Sequence, residues 1–199
     1  VCKEKIKIEE ILSNVKFKYE KKFEKIITYM PTYRENPILS NGLKENIISL
    51  VKNNRLKEEL KNKNVLLIIK LHYLMELKIS DKNENIIFLR DKDIECTQKL
   101  LKITDILITD YSSVFMDFIL QKNKNLIFYG FDSEKYFEND TGLFYKYENI
   151  FDGIIKTEVE LINKIKELLN TNESNTKKIN EFFNKESKDF NSFYETLYE

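Results

Sequence analysis

Residues 105–117 read DILITDYSSVFMD, and this stretch decides the fold class. Its apolar run at Ile106–Thr109 predicts a buried strand, and the apolar positions that follow the serines predict a helix from Ser113 to Leu120. The turn between the two carries an acidic residue and two adjacent serines. A strand, a short polar turn and a helix in this order are typical of a β-α unit in a parallel sheet.

The same alternation continues on both sides of this unit. Because the run at 65–69 is apolar at every position, helices are expected to cover both faces of the sheet. Strands are predicted at 25–29, 65–69, 86–89 and 126–129, and helices at 42–61, 94–102 and 157–169. The sequence therefore predicts an α/β fold, a Rossmann-like three-layer domain with a mainly parallel sheet.

Three regions are expected along the chain. Residues 1–24 form a linker or a short helix, and residues 25–170 form the Rossmann-like domain. Residues 171–199 form a helical tail that starts at the polar segment TNESN (171–175). The chain starts at Val1 instead of Met, which suggests a fragment of a longer protein.

Composition excludes several classes of function. The 33 basic and 33 acidic residues balance, so no general attraction to nucleic acid is expected. One His and two distant Cys give no zinc-ligand spacing, and no metal site is predicted. No apolar run approaches the roughly 20 residues that span a bilayer. The chain is therefore expected to be cytoplasmic.

Polar residues directly after the strands are the candidate site residues, because open α/β sheets bind ligands beyond the carboxyl ends of their strands. They follow the strands that end near positions 29, 69 and 109, so one sheet edge is expected to carry all of them. The candidates are Thr32, Arg34, His72, Thr109, Asp110, Ser112 and Ser113.

The serine turn predicts an anion site. Ser112 is a good N-cap residue, and the first N–H groups of the following helix lack partners within the helix. Those groups favour a diphosphate, and Arg34 and His72 add to this preference from the neighbouring strands. Asp117 lies about one turn further along, where it is expected to orient the turn or to meet a hydroxyl of the ligand. Taken singly, each of these residues also has an ordinary structural interpretation, in packing, capping or a surface ion pair.

Four motifs together resemble the CDP-glycerol glycerophosphotransferase family, which includes the teichoic acid primases and polymerases. The resemblance covers residues 25–170. The motifs are YMPTYRE (29–35), IKLH (69–72), DILITDYSSVFMDF (105–118) and LIFYGFDSEKYFENDTGLFYKYENI (126–150). The resemblance implies that this chain is the C-terminal, donor-binding half of a two-domain GT-B fold. It also implies transfer of glycerol phosphate, or a related polyol phosphate, from a CDP-linked donor to a cell-surface polymer, with release of CMP and without a metal or other cofactor.

The resemblance assigns roles to the candidate residues. His72 is expected to be catalytic and to contact the donor phosphates, which the paired serines hold. The remaining family-matched positions are expected to contact the phosphates or ribose of the donor, and they are Thr32, Arg34, Thr109, Asp110 and Asp117.

The chain also departs from the family pattern. Tyr73 replaces the proline after the histidine, so a less rigid loop is expected, and Lys124-Asn125 stands where the family usually has Lys-Pro. The segment 139–142, Asn-Asp-Thr-Gly, replaces a basic residue before the glycine, which affects contacts with the donor tail or the acceptor.

In the family the N-terminal half binds the acceptor and supplies the general base, and the resemblance implies that this half is missing from the present sequence. The tail at 171–199 is expected to pack toward it. The acceptor is expected to be a lipid-linked polymer or glycan, which places the whole enzyme at the inner face of the bacterial plasma membrane.

Two other functions remain compatible with these residues. One is a glycosyltransferase that uses a CMP- or CDP-linked sugar for capsule or lipooligosaccharide, in which the bond to a sugar carbon breaks. The other is a nucleotide-binding module without catalytic activity.

Overall fold

The computed structural model describes residues 22–77, 83–94, 96–139, 153–171, 173–177, 179 and 181. The helix considered for residues 1–24 and most of the predicted helical tail lie outside these residues, as does nearly all of the segment 139–142. None of the helices in the described ranges is long and apolar enough to cross a bilayer.

The core of the fold is a five-stranded sheet in which every neighbouring pair is parallel. Its spatial order is β3-β2-β1-β4-β5. The strands are β1 (Lys25–Met30), β2 (Val65–Lys70), β3 (Ile86–Leu89), β4 (Ile106–Thr109) and β5 (Asn125–Phe128). This sheet confirms the predicted α/β class, and all five strands lie within one residue of the predicted bounds because their apolar runs are buried on both faces.

Helices cover both faces of the sheet. Side chains of α1 (Pro37–Lys52), α2 (Asn54–Asn62) and α6 (Glu158–Asn170) pack on one face, against residues such as Ile27, Leu67 and Ile108. The opposite face is covered by α3 (Thr97–Ile103), α4 (Val114–Ile119) and α5 (Ser133–Asn139). Because successive strand residues point to opposite faces, both apolar layers come from the same short strands.

The helix predicted at 42–61 is two helices, and it begins earlier than expected. Asn36 caps α1, and its side chain accepts hydrogen bonds from the N–H groups of Ile38 and Leu39. Asn53 has an extended backbone, with φ −65° and ψ 117°, which ends α1. Its side chain then caps α2, so the apolar stripes of the two helices follow one another and read as one helix in the sequence.

Two further differences occur on the other face. The helix predicted at 94–102 begins three residues later, at Thr97, because a 3-10 turn at Asp91–Asp93 precedes it. Helix α5 was not predicted, because its seven residues lie in an aromatic-rich segment without a clear period. In this helix Tyr136 is buried, whereas Phe137 is exposed.

The order of the strands fixes where a ligand is expected. The chain builds β1, β2 and β3 outward on one side of the sheet, then returns to place β4 on the other side of β1. The connections after β1 and β4 therefore leave the carboxyl edge in opposite directions, and in open α/β sheets a ligand is expected at such a point.

Candidate functional site

One carboxylate fastens the loop after β1 to the end of β4. Asp110 Oδ1 accepts hydrogen bonds from the backbone N–H of Thr32 at 2.8 Å and from its hydroxyl at 2.6 Å. The same oxygen accepts a hydrogen bond from the N–H of Tyr111 at 2.7 Å. Since Asp110 is fully buried, these donors replace the water that its charge has lost. The structure thus brings Thr32 and Asp110 together at the divergent loops.

Arg34 is buried beneath this loop and is only 1% exposed. Its Nη2 lies 2.8 Å from Asp110 Oδ2, and its Nε and Nη2 donate to the two carboxylate oxygens of Asp132 at 2.8 and 3.1 Å. Its Nη1 donates to the carbonyl of Thr32 at 2.7 Å. Burial alone would lower the pKa of Arg34, but the two carboxylates outweigh burial and raise it. Arg34 therefore anchors the loop, and its contact with donor phosphates stays a prediction.

Sequence reasoning missed Asp132 as a site residue. It lies in the loop after β5 and is 8% exposed. Asp132 lies in the FYGFD motif, which contributed to the family resemblance and could have identified it. The neighbouring sequence did not show that its partner would be Arg34.

Two stacked tyrosines close over this ion cluster. The rings of Tyr111 and Tyr136 lie 4.1 Å apart at 18°, and the Arg34 guanidinium carbon lies 5.0 and 4.7 Å from their centroids. The Tyr111 hydroxyl donates to Asp132 Oδ1 at 3.1 Å. Burial, reinforced by Asp132, raises the pKa of Tyr111 and keeps this hydroxyl a donor. A Cβ at Gly130 would lie 2.7 Å from the same hydroxyl, so a larger residue there would have to displace the Tyr111 ring.

His72 follows β2 and is half-buried among aromatic rings. Its ring centroid lies 4.9 Å from that of Tyr33 at 25°, and 4.5 Å from that of Tyr73 at 35°. His72 Nδ1 accepts a 3.4 Å hydrogen bond from the N–H of Leu74, which leaves Nε2 to carry the proton of the neutral ring. Tyr73 stands in place of the family proline, and its exposed ring lies tilted against that of His72. Tyr33 links His72 to the loop that Asp110 and Arg34 fasten.

The serine turn differs from the prediction in detail. Ser113, not Ser112, occupies the N-cap position, and the Ser112 hydroxyl accepts a 3.3 Å hydrogen bond from the N–H of Val114. Helix α4 has only six residues, so its dipole is weaker than a long helix would provide. Ser113 and Asp117 are exposed at this turn. Binding of phosphate here stays a prediction.

Thr109 is the predicted site residue that lies deepest. It is fully buried, and its hydroxyl donates to the carbonyl of Met30 at 2.8 Å, which ties β4 to β1. Contact between Thr109 and a donor stays a prediction. Within the described ranges no three His, Cys, Asp or Glu side chains are grouped so as to hold a metal ion. Independence of the reaction from metal likewise stays a prediction.

Comparison with known protein sequences identifies relatives for this chain. A family profile described as CDP-glycerol:poly(glycerophosphate) glycerophosphotransferase matches residues 2–192. A teichoic acid poly(glycerol phosphate) polymerase of Bacillus spizizenii is 36% identical over 146 residues, which cover 72% of this chain and 36% of that protein. A teichoic acid glycerol-phosphate transferase of Staphylococcus aureus is 31% identical over 147 residues, with 73% and 36% covered. The chain thus spans about a third of the length of these relatives.

The chain is also similar to solved structures of this kind of protein. The structure of the wall teichoic acid polymerase TagF superposes with a TM-score of 0.65 and 27% identity, and the match covers 88% of this chain and 42% of that one. A variant of the same polymerase soaked with CDPG superposes with a TM-score of 0.61 and 27% identity, covering 88% and 40%. These matches confirm the α/β fold class and relate it to a GT-B-like polymerase.

Proposed function

The chain belongs to the CDP-glycerol:poly(glycerophosphate) glycerophosphotransferase family, and from this premise we propose that it forms the donor-binding part of a polyol-phosphate transferase. The whole enzyme moves glycerol phosphate, or a related polyol phosphate, from a CDP-linked donor to a cell-surface polymer and releases CMP. The observation that carries the proposal is the family's motif residues meeting at the carboxyl edge of β1, β2 and β4. There Thr32 is bonded to Asp110, and Tyr33 stacks on His72.

The proposed chemistry is displacement at phosphorus. A hydroxyl of the acceptor attacks the β-phosphorus of the donor, and the bond from that phosphorus to the oxygen of CMP breaks. The protein contributes positioning and stabilisation of the phosphate charge, which are the main sources of catalysis in such transfers. His72 Nε2 and the hydroxyls of Ser112 and Ser113 are the donors proposed to contact the two phosphates.

The acceptor side of the reaction is proposed to lie in a different part of the protein. The match covers 36% of the length of each of these two relatives, which leaves room for a second half that binds the acceptor and supplies the general base. A lipid-linked acceptor polymer would bring the whole enzyme to the inner face of the plasma membrane. On this view the chain alone binds CDP but transfers polyol phosphate poorly.

Calorimetric titration with CDP tests the donor site. The variants Ser113→Ala and His72→Ala are each expected to weaken CDP affinity about tenfold or more, because a lost hydrogen bond to a charged phosphate is worth about 1.5–3 kcal/mol. Ser49→Ala is a matched control, since Ser49 is exposed on α1, outside the proposed donor site. Unchanged affinity in both site variants rejects the donor site.

A further inference from the structure

The loop after β5 carries a charged side chain that the proposed chemistry does not use. Asp132 is held in a two-pronged contact by Arg34, and the side chains of the pair are 0% and 6% exposed. We propose that Asp132 is a positioning residue, which acts through Arg34 to hold the loop after β1 so that Tyr33 stacks against His72. The inference rests on the proposed function, because it concerns the same donor site.

The first step of the argument is the fixed orientation of the guanidinium. Arg34 donates through Nε and Nη2 to Asp132, and this fork permits one planar arrangement of the two groups. Asp110 accepts a hydrogen bond from the same Nη2, and this bond fixes a second edge of the guanidinium plane. With the plane fixed by two carboxylates, Nη1 is left pointing at the carbonyl of Thr32 at 2.7 Å.

The second step leads from Arg34 to the histidine. Thr32 is held by its carbonyl to Arg34 and by its N–H and hydroxyl to Asp110, so both polar ends of this residue are fixed. Tyr33 follows directly and lies between these two anchored residues in the chain. Its ring therefore has a set direction, and it stacks on His72 with 4.9 Å between the centroids.

The third step of the argument distinguishes the role of Asp132 from that of Asp110. Asp110 belongs to the β4 turn and bonds to the loop after β1 directly, so its loss would disturb the serine turn as well. Asp132 accepts hydrogen bonds from the Arg34 guanidinium and from the Tyr111 hydroxyl, and Arg34 is its direct link to the loop after β1. Changing Asp132 therefore loosens the loop without removing a proposed contact with the donor.

The experiment uses the fact that His72 is the single histidine of the chain. Its imidazole signals in the NMR spectrum are unambiguous, and the ring currents of Tyr33 and Tyr73 shift them. Asp132→Asn is expected to move these signals toward the positions of a solvent-exposed imidazole and to weaken CDP binding about tenfold. The shift of the His72 signals is measured without CDP, so it does not depend on the proposed function.

Asp105→Asn is the matched control. Asp105 lies at the opposite end of β4, where its Oδ2 accepts a 2.8 Å hydrogen bond from the N–H of Ile26. Its replacement also removes a carboxylate that bonds to β1, but at the amino edge of the sheet. The control variant is expected to leave the His72 signals in place and CDP affinity within about twofold.

Each outcome decides the proposal. Unmoved His72 signals in Asp132→Asn, or an equal displacement in Asp105→Asn, overturns it. If the wild-type chain fails to bind CDP, the proposed function is lost, whereas the His72 signals still decide whether Asp132 positions the loop. If Asp132→Asn does not fold, Tyr111→Phe replaces it, since this change removes one hydrogen bond to Asp132 and keeps the ring. A smaller displacement in the same direction then supports the proposal, and unmoved signals overturn it.

Discussion

At the scale of single residues, Arg34 has the largest difference between expected and observed surroundings. It was expected to face phosphates at the sheet edge, and it lies instead between two buried carboxylates. A buried cation is stable only when its hydrogen-bonding groups are matched, and the carboxylates of Asp110 and Asp132 supply that match. In this structure the positive charge of Arg34 is paired with these two carboxylates, beside the loop after β1.

This arrangement predicts a large loss of stability when Arg34 is removed. Arg34→Ala leaves two carboxylates buried without their cation, and we expect the free energy of unfolding to fall by about 3–5 kcal/mol. Urea denaturation followed by circular dichroism measures it. Arg55→Ala is the control, since Arg55 is exposed and its Nη2 donates to Asn163, and its effect is expected to stay within about 0.5 kcal/mol. Equal midpoints for the two variants would contradict the buried ion cluster.

The residue types at the site were predictable, but their partners were not. Thr32, Arg34, His72, Asp110 and the serine pair were found because polar residues follow buried strands. The carboxylates that neutralise Arg34 lie 76 and 98 residues away along the chain. No local pattern connects residues at such separations, so the sequence could not show whether Arg34 faces inward or outward.

At the scale of elements, the outer edge of β5 shows how a polar segment completes a sheet. The side chain of Asn175 accepts from the N–H of Leu126 and donates to its carbonyl, both at 2.8 Å, as a neighbouring strand would. Further along, the N–H of Ile155 donates to the carbonyl of Phe128 at 2.9 Å. Both contacts cover backbone groups that would otherwise invite pairing with another chain.

Removing this cover is expected to expose the edge. In Asn175→Ala, amide hydrogen exchange at Leu126 is expected to accelerate about tenfold, because the N–H loses its acceptor and opens to water. Heteronuclear NMR measures the exchange residue by residue. Asn163→Ala, on the exposed face of α6, is the matched control and should leave Leu126 unchanged. Exchange at Leu126 that is equally slow in both variants would show that Asn175 does not protect the edge.

The bounds of the strands were predicted well because burial determines their apolar pattern. The bounds of the helices were predicted poorly where a capping side chain determines them. The strands are apolar at nearly every position, so their runs could be read directly. The break at Asn53 depends on one side chain that caps the next helix. The segment 171–175 was predicted only as a polar break, yet Asn175 in it extends the sheet edge.

At the scale of the whole molecule, the alternation of strands and helices was sufficient to predict the fold class, because parallel strands require crossover connections. The carboxyl edge of the sheet was predicted as the position of the candidate site, but the strand order, which puts β4 beside β1, was not. The match covers 36% of the length of two curated relatives. The described residues hold a cluster of charges and hydroxyls that are buried together at the carboxyl edge of the sheet.

Those buried hydroxyls give the molecule a predictable response to alkaline pH. Burial raises the pKa of Tyr29 and Tyr111, and it raises that of Tyr129 to about 12, against the hydrogen bond from Asn46, which acts to lower it. A group with a higher pKa in the folded state holds its proton more tightly there than in the unfolded chain. Its contribution to stability is therefore fully present below pH 10 and is lost as the pH rises toward the folded pKa.

The free energy of unfolding is accordingly expected to fall between pH 10 and pH 12, with about 2–3 kcal/mol of the loss due to Tyr129. Urea denaturation at intervals across this range measures it. Tyr129→Phe is expected to show a shallower decline, since the variant has no hydroxyl to ionise at this position. The difference between the two proteins at pH 8 is the internal control, because there the hydroxyl is protonated in both the folded and the unfolded chain. Parallel curves from pH 8 to pH 12 would mean that ionisation of Tyr129 does not lower the free energy of unfolding.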